Sequence, residues 1–442
     1  MFWGYPAPVI VQALNTLTMH EGASPTPPFG RATYATPLIL NGRGRRTVDE
    51  STRSFMDPDT VAVRGGLNRS AFGETSEALF LTSGFVYNSA REAAQAFTGD
   101  IDRYMYSRLG NPTVTMFEER LAALEGAEAA RAFASGMSAV FNALAALCEA
   151  GDRIVASRAL FGSCFQVLDA ILPRWGITTE FVDPDDLDQW EAALSTPAKA
   201  VFLETPSNPM QQLVDIPKVA ELAHSAGAQV IVDNIFATPI LQKPLQLGAD
   251  LVVYSTTKHI DGQGRTLGGA ILGSEEFMED QLRQLMRHTG PIMSPFNAWV
   301  AIKGLETLRL RVEHQNATAL ALAGWLETHP NIDWVRFPML PSHPQHELAT
   351  EQMAGGGTVV TFQVPGGTER AFDVIDALKL LDISNNLGDT KSLVTHPATT
   401  THQRVGAEVR EQMGLSDGTI RVSVGLESYD DLRADLDRAL TQ

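Results

Sequence analysis

The chain has 442 residues, too many for one ordinary hydrophobic core, so we expect two packed regions and a tail. Its net charge of −18 argues against a nucleic-acid surface, because binding phosphates needs a clustered excess of Lys and Arg. Two cysteines are too few for a disulfide framework, and no apolar stretch reaches the roughly 18 residues of a membrane span. We therefore expect a cytoplasmic protein that binds neither nucleic acid nor membrane.

Residues 1–55 differ in composition from the rest of the chain. They are rich in Pro, Gly, Ser and Thr, and they contain five arginines against three acidic residues. We interpret this segment as a flexible N-terminal tail. The alternative is that the biological start is Met56 and that the preceding segment is an error of start assignment.

From about residue 111 the sequence alternates between helical periods and short apolar runs. Two helices are predicted first, "TVTMFEERLAALEGAEAA" and "MSAVFNALAALCEAG", the second ending at Gly151. Strands follow, most of them separated by helix-length segments: "RIVAS", "KAVFLE", "QVIVDN", "DLVVYS" and "LGGAILG". This βαβ order predicts an α/β fold, with a mainly parallel sheet flanked by helices over residues 111–300.

The last third of the chain mixes helices and strands in a different order. Long helical material from about residue 300 precedes the alternating "GGTVVTFQV", the helical "AFDVIDALKLL", and a final strand and helix, "TIRVSVGLE" and "YDDLRADLDRALTQ". This order predicts a smaller α/β domain over residues 301–442.

Polar residues follow three of the predicted strands. In open parallel sheets, ligands bind beyond the carboxyl ends of the strands, so these side chains are expected to converge on one crevice. They are Glu204 and Asn208 after the second strand, Asp233 after the third, and Ser255, Thr257 and Lys258 after the fourth. A further turn, through Ser135 and Gly136 into a helix, would offer free backbone N–H groups to an anion, and plain helix capping is the alternative for it.

Lys258 is the lysine best placed for chemistry. Of the seven lysines it alone stands at a strand end beside two hydroxyl residues, where burial would lower the pKa of its amine and make it a nucleophile. Lys391, in "GDTKSLV", is its only rival. A lysine, a strand-end aspartate and a phosphate cradle are together what pyridoxal phosphate needs, since they supply a Schiff-base amine, a partner for the ring nitrogen and an anion site. No residue is assigned to a metal.

Six motifs in order carry a resemblance to a known family. They are "YSRLGNPT" (106–113), "ASGMSA" (134–139), "ETPSNP" (204–209), "VDNIFATP" (232–239), "YSTTKHIDGQGR" (254–265) and "IRVSVGLE" (420–427). In this order they resemble the Cys/Met-metabolism group of fold-type I pyridoxal-phosphate enzymes, from about residue 57 to the end. The resemblance implies the pyridoxal-phosphate transferase fold, that cofactor, and a small amino-acid substrate.

The resemblance also implies a role for each matching residue. Lys258 would form the Schiff base, Asp233 would pair with the pyridine nitrogen, and Asn208 would bond the phenolic oxygen of the cofactor. Arg421 would grip the substrate α-carboxylate, with Asn386 as a second carboxylate contact. The phosphate binders would be Gly136, Met137, Ser255 and Thr257, joined by Tyr106 and Arg108 of a neighbouring subunit.

Shared sites of this kind imply at least a dimer and, by family habit, a homotetramer, in which residues 56–110 form an arm that contributes to the neighbouring subunit. The chain departs from the family at Phe161, where many members have a tyrosine that stacks on the cofactor ring. The phenyl ring of Phe161 could still stack on the cofactor ring, but it has no hydroxyl. Any proton transfer that this hydroxyl performs in other members would have to be made by Lys258 or Tyr106. Ser163 falls where methionine γ-lyases usually have cysteine, which argues against that activity.

Within the family, "KHIDGQGR", "LFGSC" and "NNLGDTKSLVTHPATTTHQ" resemble O-succinylhomoserine sulfhydrylases, with O-acetylhomoserine sulfhydrylases and cystathionine γ-synthases as alternatives. The resemblance implies γ-replacement on an activated homoserine, giving homocysteine for methionine biosynthesis. Arg265 lies seven residues past Lys258, and our hypothesis is that it attracts the distal carboxylate of a succinyl ester; a phosphate-side or surface arginine is the alternative. Outside the enzymes, the alternative is a nucleotide-binding α/β regulatory module with a structural lysine.

Overall fold

The computed structural model describes residues 57–442, so the predicted tail over residues 1–55 lies outside the described residues. The larger of two sheets has seven strands in the order β1-β7-β6-β5-β4-β2-β3. Its strands are β1 (Ala129–Phe133), β2 (Arg153–Ser157), β3 (Thr178–Val182), β4 (Ala200–Glu204), β5 (Gln229–Asp233), β6 (Leu251–Ser255) and β7 (Gly269–Gly273). The pairs from β3 through β2, β4 and β5 to β6 are parallel. This mainly parallel sheet confirms the predicted α/β architecture.

Helices cover both faces of the larger sheet and also lie on the smaller one. In chain order they are α1 (Pro58–Arg64), α2 (Ala90–Thr98), α3 (Pro112–Glu125), α4 (Gly136–Leu147), α5 (Gly162–Gln166), α6 (Leu187–Leu194), α7 (Ile216–Ser225), α8 (Thr238–Leu241), α9 (Arg283–Thr289), α10 (Pro295–Leu305), α11 (Leu308–Leu326), α12 (His346–Gln352), α13 (Gly367–Ala377), α14 (Ala407–Gln412) and α15 (Tyr429–Thr441). Short helical turns lie at Val167–Ile171, Leu172–Trp175, Pro244–Leu247, Thr256–Ile260, Phe277–Leu282, Pro397–Thr399 and Gln403–Val405. Within residues 57–442, no helix is both long and apolar enough to cross a membrane.

The central strands are apolar throughout because both of their faces are covered. In β4, Phe202 packs with residues of α4 on one face, whereas Val201 and Leu203 pack with Trp190 and α7 on the other. Each fully buried side chain of this size contributes roughly 1.5–3 kcal/mol. A strand with no solvent-facing side has no need for alternating polar residues, which is why "KAVFLE" could be recognised as a central parallel strand.

The structure differs from the predicted elements at the edges of this sheet. The helix predicted through residue 130 ends at Glu125, because Gly126 adopts a left-handed φ of 88° and its N–H caps Ala122. The alanine-rich run that follows is strand β1, whose pairing with β7 overrides the helical preference of alanine. Strand β7 runs antiparallel to both of its neighbours, β1 and β6. Helix α4 ends at Leu147, before the predicted Gly151, since Cys148 is already extended.

The smaller sheet has five strands in the order β10-β11-β12-β9-β8. They are β8 (Trp334–Arg336), β9 (Val359–Gln363), β10 (Asp382–Ile383), β11 (Leu393–Thr395) and β12 (Thr419–Ser423). One face packs against α11, α13 and α15 around a core that includes Phe362 and Leu436. The predicted domain boundaries at residues 110/111 and 300/301 stay predictions.

Side chains of the loop after β4 hold the smaller sheet against the larger one. Gln211 donates to the carbonyls of Arg336 and Val359, at 2.8 and 2.9 Å. Thr361, on β9, donates to the carbonyl of Pro209 at 2.7 Å. These contacts join β8 and β9 to the loop that follows the carboxyl end of β4.

A buried ion-pair network anchors the segment that precedes α2. The carboxylate of Glu77 accepts from the guanidinium of Arg120 and the amine of Lys303, and its carbonyl accepts from the indole of Trp299 at 3.0 Å. Arg120 is fully buried and also donates to the carbonyl of Gly65 at 2.8 Å. The charges of Glu77 and Arg120 are therefore compensated inside the protein rather than by water.

We expect Glu77→Gln to lower the free energy of unfolding by about 3–5 kcal/mol, because it leaves the buried Arg120 with only the more distant, partly exposed Glu306 carboxylate, at 3.8 Å, as an ionised partner. Urea unfolding followed by circular dichroism measures the change. Glu313→Gln is the matched control, since Glu313 pairs with Arg309 at 2.8 Å on the exposed surface, where such a pair contributes at most about 1 kcal/mol. Equal losses in both variants would contradict a special role for the buried network.

Candidate active site

The polar strand ends predicted to converge do meet at one edge of the larger sheet. Strands β4 and β5 pair in register so that Glu204 lies directly opposite Asp233. Ser255 ends β6 and lies against Gly136 at the start of α4, so close that a Cβ on that glycine would be 2.7 Å from the Ser255 Cβ. The edge therefore combines two carboxylates, a hydroxyl and a helix N-terminus.

Lys258 lies in the turn after β6 and is largely buried. The turn over Thr256–Ile260 is helical except at Lys258, whose φ of −91° and ψ of −129° break the helical path. Its Nζ donates to Oδ1 of Asn386 at 2.5 Å. Burial, with a smaller contribution from the nearby Arg421 charge, lowers the pKa of Lys258 to about 8. About a tenth of this amine is therefore in the neutral, nucleophilic form at pH 7, far more than for an ordinary lysine.

Asp233 is 3% exposed, and one of its carboxylate oxygens is hydrogen-bonded within the turn that follows β5. Oδ1 accepts from the backbone N–H of Ile235 at 3.1 Å, and Oδ2 accepts no hydrogen bond from the part of the chain that the structure describes. Burial raises the pKa of Asp233 to about 7. A positive group placed against Oδ2 would restore the charged form, as a protonated ring nitrogen does.

Arg421, on β12, reaches the same site from the smaller sheet. Its Nη1 donates to Oδ1 of Asn208 at 2.9 Å, and its Nη2 donates to the carbonyls of Asn385 and Asn386 at 3.0 and 3.1 Å. Its Nε is buried with no hydrogen-bond partner among the described residues. Burial lowers the pKa of Arg421 to about 10, so the side chain is still a cation at neutral pH.

The start of α4 presents backbone N–H groups that could bind an anion. The side chain of Ser135 caps the helix by accepting from the N–H of Ser138, which leaves the N–H groups of Gly136 and Met137 without intrahelical partners. Gly136 lets Ser255 approach this terminus closely. Thr257, by contrast, is engaged in its own turn, where its hydroxyl accepts from the N–H of Gly268 at 3.1 Å.

These groups fit pyridoxal phosphate. Lys258 offers an amine of lowered pKa, Asp233 a carboxylate oxygen free to meet a ring nitrogen, and the α4 terminus with Ser255 an anion site. The buried hydroxyl of Thr256 has no partner among the described residues and is a further polar group at this turn. The described residues contain no group of three or more His, Cys, Asp or Glu side chains that could hold a metal ion.

Tyr106 and Arg108 lie apart from these residues. Tyr106 is 45% exposed, and the Arg108 guanidinium lies 5.5 Å from the centre of its ring. Arg108 also donates to the carbonyl of Arg287. No described contact joins either residue to Lys258 of the same chain, and their delivery to a neighbouring subunit stays a prediction.

Arg265 is tied to its own turn. Its Nε donates to Oδ1 of Asp261 at 2.8 Å and its backbone N–H to Oδ2 of the same carboxylate at 2.5 Å. Its Nη1 makes no hydrogen bond within residues 57–442, and its side chain is 37% exposed. One end of the guanidinium is thus anchored and the other is available.

Two residues of the site have no role that the sequence predicts. Glu204 is only a strand-end residue in the sequence, but in the structure it is 5% exposed and bonded to two loops of the site. His402 is fully buried, and burial together with the nearby Arg421 charge lowers its pKa to about 4, so it is neutral. A strand-end position is the signal that could have marked Glu204, whereas nothing in the sequence places His402 near Arg421.

Comparison with known proteins decides the family. A model of the Cys/Met metabolism PLP-dependent enzymes matches residues 59–441. The chain belongs to this family. The predicted family, its pyridoxal-phosphate dependence and the predicted transferase fold are confirmed, and the chain is a pyridoxal-phosphate-dependent enzyme.

Similar proteins cover nearly the same length. The O-succinylhomoserine sulfhydrylase of Mycobacterium tuberculosis strain H37Rv is 64% identical over 386 residues, which are 86% of this chain and 95% of that protein. The protein of the same name from Pseudomonas aeruginosa is 51% identical over 382 residues, 86% of this chain and 94% of its own. A Campylobacter jejuni structure with N'-pyridoxyl-lysine-5'-monophosphate superimposes with a TM-score of 0.83 at 31% identity, covering 88% of this chain and 100% of that one.

Proposed function

We propose that this enzyme converts O-succinylhomoserine and sulfide to homocysteine and succinate, a γ-replacement in methionine biosynthesis. The similarity to the two O-succinylhomoserine sulfhydrylases supports this choice of substrate. In the structure, the proposal is supported by the hydrogen bonds of Asn386, which link the amine of Lys258 to the guanidinium of Arg421. A carboxylate held by Arg421 would place the α-carbon of an amino acid within reach of Lys258.

Each residue has a defined task in this proposal. Arg421 binds the α-carboxylate through its planar fork, and Asn386 supports it. Lys258 Nζ accepts the α-proton and later moves a β-proton, a task for which a pKa of about 8 suits an amine. When bound, pyridoxal phosphate would supply the electron sink that takes up the electron pair left on the α-carbon when its proton is removed. Asp233 would keep the ring nitrogen charged.

The remaining predicted contacts belong to the cofactor. Gly136, Met137, Ser255 and Thr257 would bind its phosphate beside the α4 terminus. Phe161 would stack on the ring, and Asn208 would bond its phenolic oxygen. Phe161 has no hydroxyl, so the proton transfers are assigned to Lys258 and Tyr106.

A four-way assay tests the substrate assignment. Purified enzyme is supplied with O-succinylhomoserine or O-acetylhomoserine, each with sulfide or cysteine, and the products are separated by chromatography. We expect the highest kcat/KM for the succinyl ester with sulfide, giving homocysteine. Cystathionine as the main product would identify a cystathionine γ-synthase, and a preference for the acetyl ester would identify an O-acetylhomoserine sulfhydrylase.

Arg265→Ala is expected to lower kcat/KM for the succinyl ester about tenfold and to leave the acetyl ester nearly unchanged. The free Nη1 would attract the distal carboxylate that only the succinyl ester has, and an exposed charged contact of this kind contributes about 1 kcal/mol or somewhat more. The ratio of the two kcat/KM values measures the effect. An unchanged ratio would remove Arg265 from ester specificity and leave it as the partner of Asp261.

The enzyme is also proposed to be a cytoplasmic homotetramer with shared active sites. Apolar side chains of the arm that precedes α3 are exposed, which supports a covering subunit: Phe72, Leu81, Val86 and Phe97. The exposed position of Tyr106 and Arg108, away from Lys258 of their own chain, supports the shared site. Both cysteines are free and buried, as is common for proteins of a reducing compartment. Light scattering of the purified enzyme tests the assembly, and a monomeric mass with full activity would exclude a shared site.

A further inference from the structure

Glu204 is bonded to two separate loops of the site. Its Oε2 accepts from the backbone N–H of Phe161 at 2.6 Å, and its Oε1 accepts from the backbone N–H of Asn208 at 2.9 Å. Phe161 lies in the loop after β2, whereas Asn208 lies in the loop after β4. One carboxylate therefore fixes the distance between two segments that are otherwise 47 residues apart (208 − 161) in the sequence.

The position of Glu204 is fixed as firmly as its contacts. It is the last residue of β4, a strand buried along its whole length, and it lies in register with Asp233 on β5. Arg421 donates to Asn208, so the loop that Glu204 holds also sets where the guanidinium lies. A glutamine in this position would present its NH2 group to one of the two backbone N–H groups and leave that N–H without an acceptor.

A like-charged neighbour is normally avoided at such a position. Burial and the adjacent Asp233 carboxylate raise the pKa of Glu204 well above its ordinary value, although the two N–H groups and Arg421 oppose this. Burying two neighbouring carboxyl groups costs free energy of folding. The arrangement is thus costly for folding alone, and its benefit lies in what the two loops hold.

We propose that Glu204 is a positioning residue that sets the width of the cofactor ring slot, by clamping the backbone of Phe161 above the ring and that of Asn208 at its edge. This inference rests on the cofactor site and is independent of which homoserine ester is the substrate. Glu204 touches neither reacting atoms nor substrate in this arrangement. It acts through Phe161 and Asn208.

Glu204→Gln tests the clamp, because the amide keeps the shape of the side chain but turns one acceptor into a donor that faces an N–H. We expect the dissociation constant of pyridoxal phosphate to rise about tenfold or more, the usual cost of leaving one buried N–H group without an acceptor. We also expect the visible circular dichroism per bound cofactor to fall, since a loosely held ring loses its fixed orientation. Both are measured on purified protein saturated with the cofactor and then dialysed.

Glu125→Gln is the matched control. Glu125 is also fully buried, and its Oε2 accepts from the hydroxyl of Tyr254 at 2.6 Å, outside the ring slot. Both variants are expected to lower the melting temperature, but only Glu204→Gln should change cofactor affinity and visible dichroism. Equal melting losses with wild-type cofactor signals in Glu204→Gln would overturn the proposal and leave a structural role only.

Glu204→Asp decides the question if the glutamine variant does not fold. The shorter carboxylate keeps the charge but cannot reach both N–H groups, so weaker dichroism per bound cofactor is expected, and unchanged dichroism would overturn the clamp. Cofactor affinity and visible circular dichroism are measured without any homoserine ester. The proposed role of Glu204 can therefore be confirmed even if the four-way assay identifies another substrate. Wild-type protein that bound no pyridoxal phosphate would overturn the clamp directly.

Discussion

Lys258→Ala is expected to abolish turnover, with kcat lowered by at least about a thousandfold. The variant loses both the amine that joins the cofactor covalently and the base that moves the α-proton, and proton transfer alone contributes roughly 10²–10⁴-fold. Cofactor held by Asp233, the α4 terminus and Ser255 should still bind without a covalent bond. Reduction with borohydride followed by peptide mapping should therefore label Lys258 in the wild type and no residue in the variant.

Lys391→Ala is the control for this experiment. Lys391 was the only other lysine with a plausible setting, but its side chain is 60% exposed and pairs with Asp389 at 3.0 Å. Its removal should leave kcat within about twofold of the wild type, since exposed ion pairs contribute little. Label on Lys391, or near wild-type turnover in Lys258→Ala, would refute the assignment of the nucleophile.

The central part of the fold could be predicted because its signals are local. Strands buried on both faces are continuous apolar runs, and their carboxyl ends mark where ligands bind, so Asp233, Ser255 and Lys258 could be grouped from the sequence alone. The edge strand β1 could not be predicted, because its alanines favour a helix and only pairing with β7 makes them a strand. Gly126 was the one local signal that the preceding helix ends early.

Less of the site than of the fold could be predicted from the sequence. Arg421 and Asn386 were expected at the site through the family resemblance, but nothing in the spacing of the chain shows that they meet Lys258 across the two sheets. The same is true of Glu204, whose two acceptors are backbone N–H groups and so leave no mark on the sequence. Arg265 is close to Lys258 in the sequence, and this closeness suggested a role at the site. The sequence did not show that Asp261 binds the Nε and Nη2 groups of Arg265.

Under the proposed function, the larger sheet binds the cofactor and the smaller sheet binds the substrate. The larger sheet presents Lys258, Asp233 and the α4 terminus from its own strand ends, whereas the smaller sheet supplies Arg421 and its supporting carbonyls. Gln211 and Thr361 fasten the sheets together beside the site. Substrate recognition therefore depends on contacts between the sheets, and changes there should affect KM more than cofactor binding.

Arg421→Ala is expected to lower kcat/KM for the homoserine ester by about 10²–10³-fold, through a higher KM. Removing one partner of a buried, charge-assisted pair costs about 2–5 kcal/mol, and here the lost partner is the substrate carboxylate. Arg421→Lys keeps the positive charge but cannot bond Asn208, the two carbonyls and a carboxylate at once, so it should recover little. Steady-state kinetics with the ester and sulfide varied separately should show KM rising for the ester and staying the same for sulfide.

The control arginine is Arg336, which lies on β8 of the same sheet and stacks 5.1 Å from the centre of the Trp334 ring. Arg336→Lys should leave both KM values unchanged, because Arg336 has no described contact with the residues around Lys258. Arg421→Ala also frees Oδ1 of Asn208 and two carbonyls, so a lower melting temperature is expected in that variant alone. If the KM of this variant for the ester stayed at the wild-type value while its stability fell, Arg421 would have a structural role only. A different positively charged residue would then have to bind the substrate carboxylate.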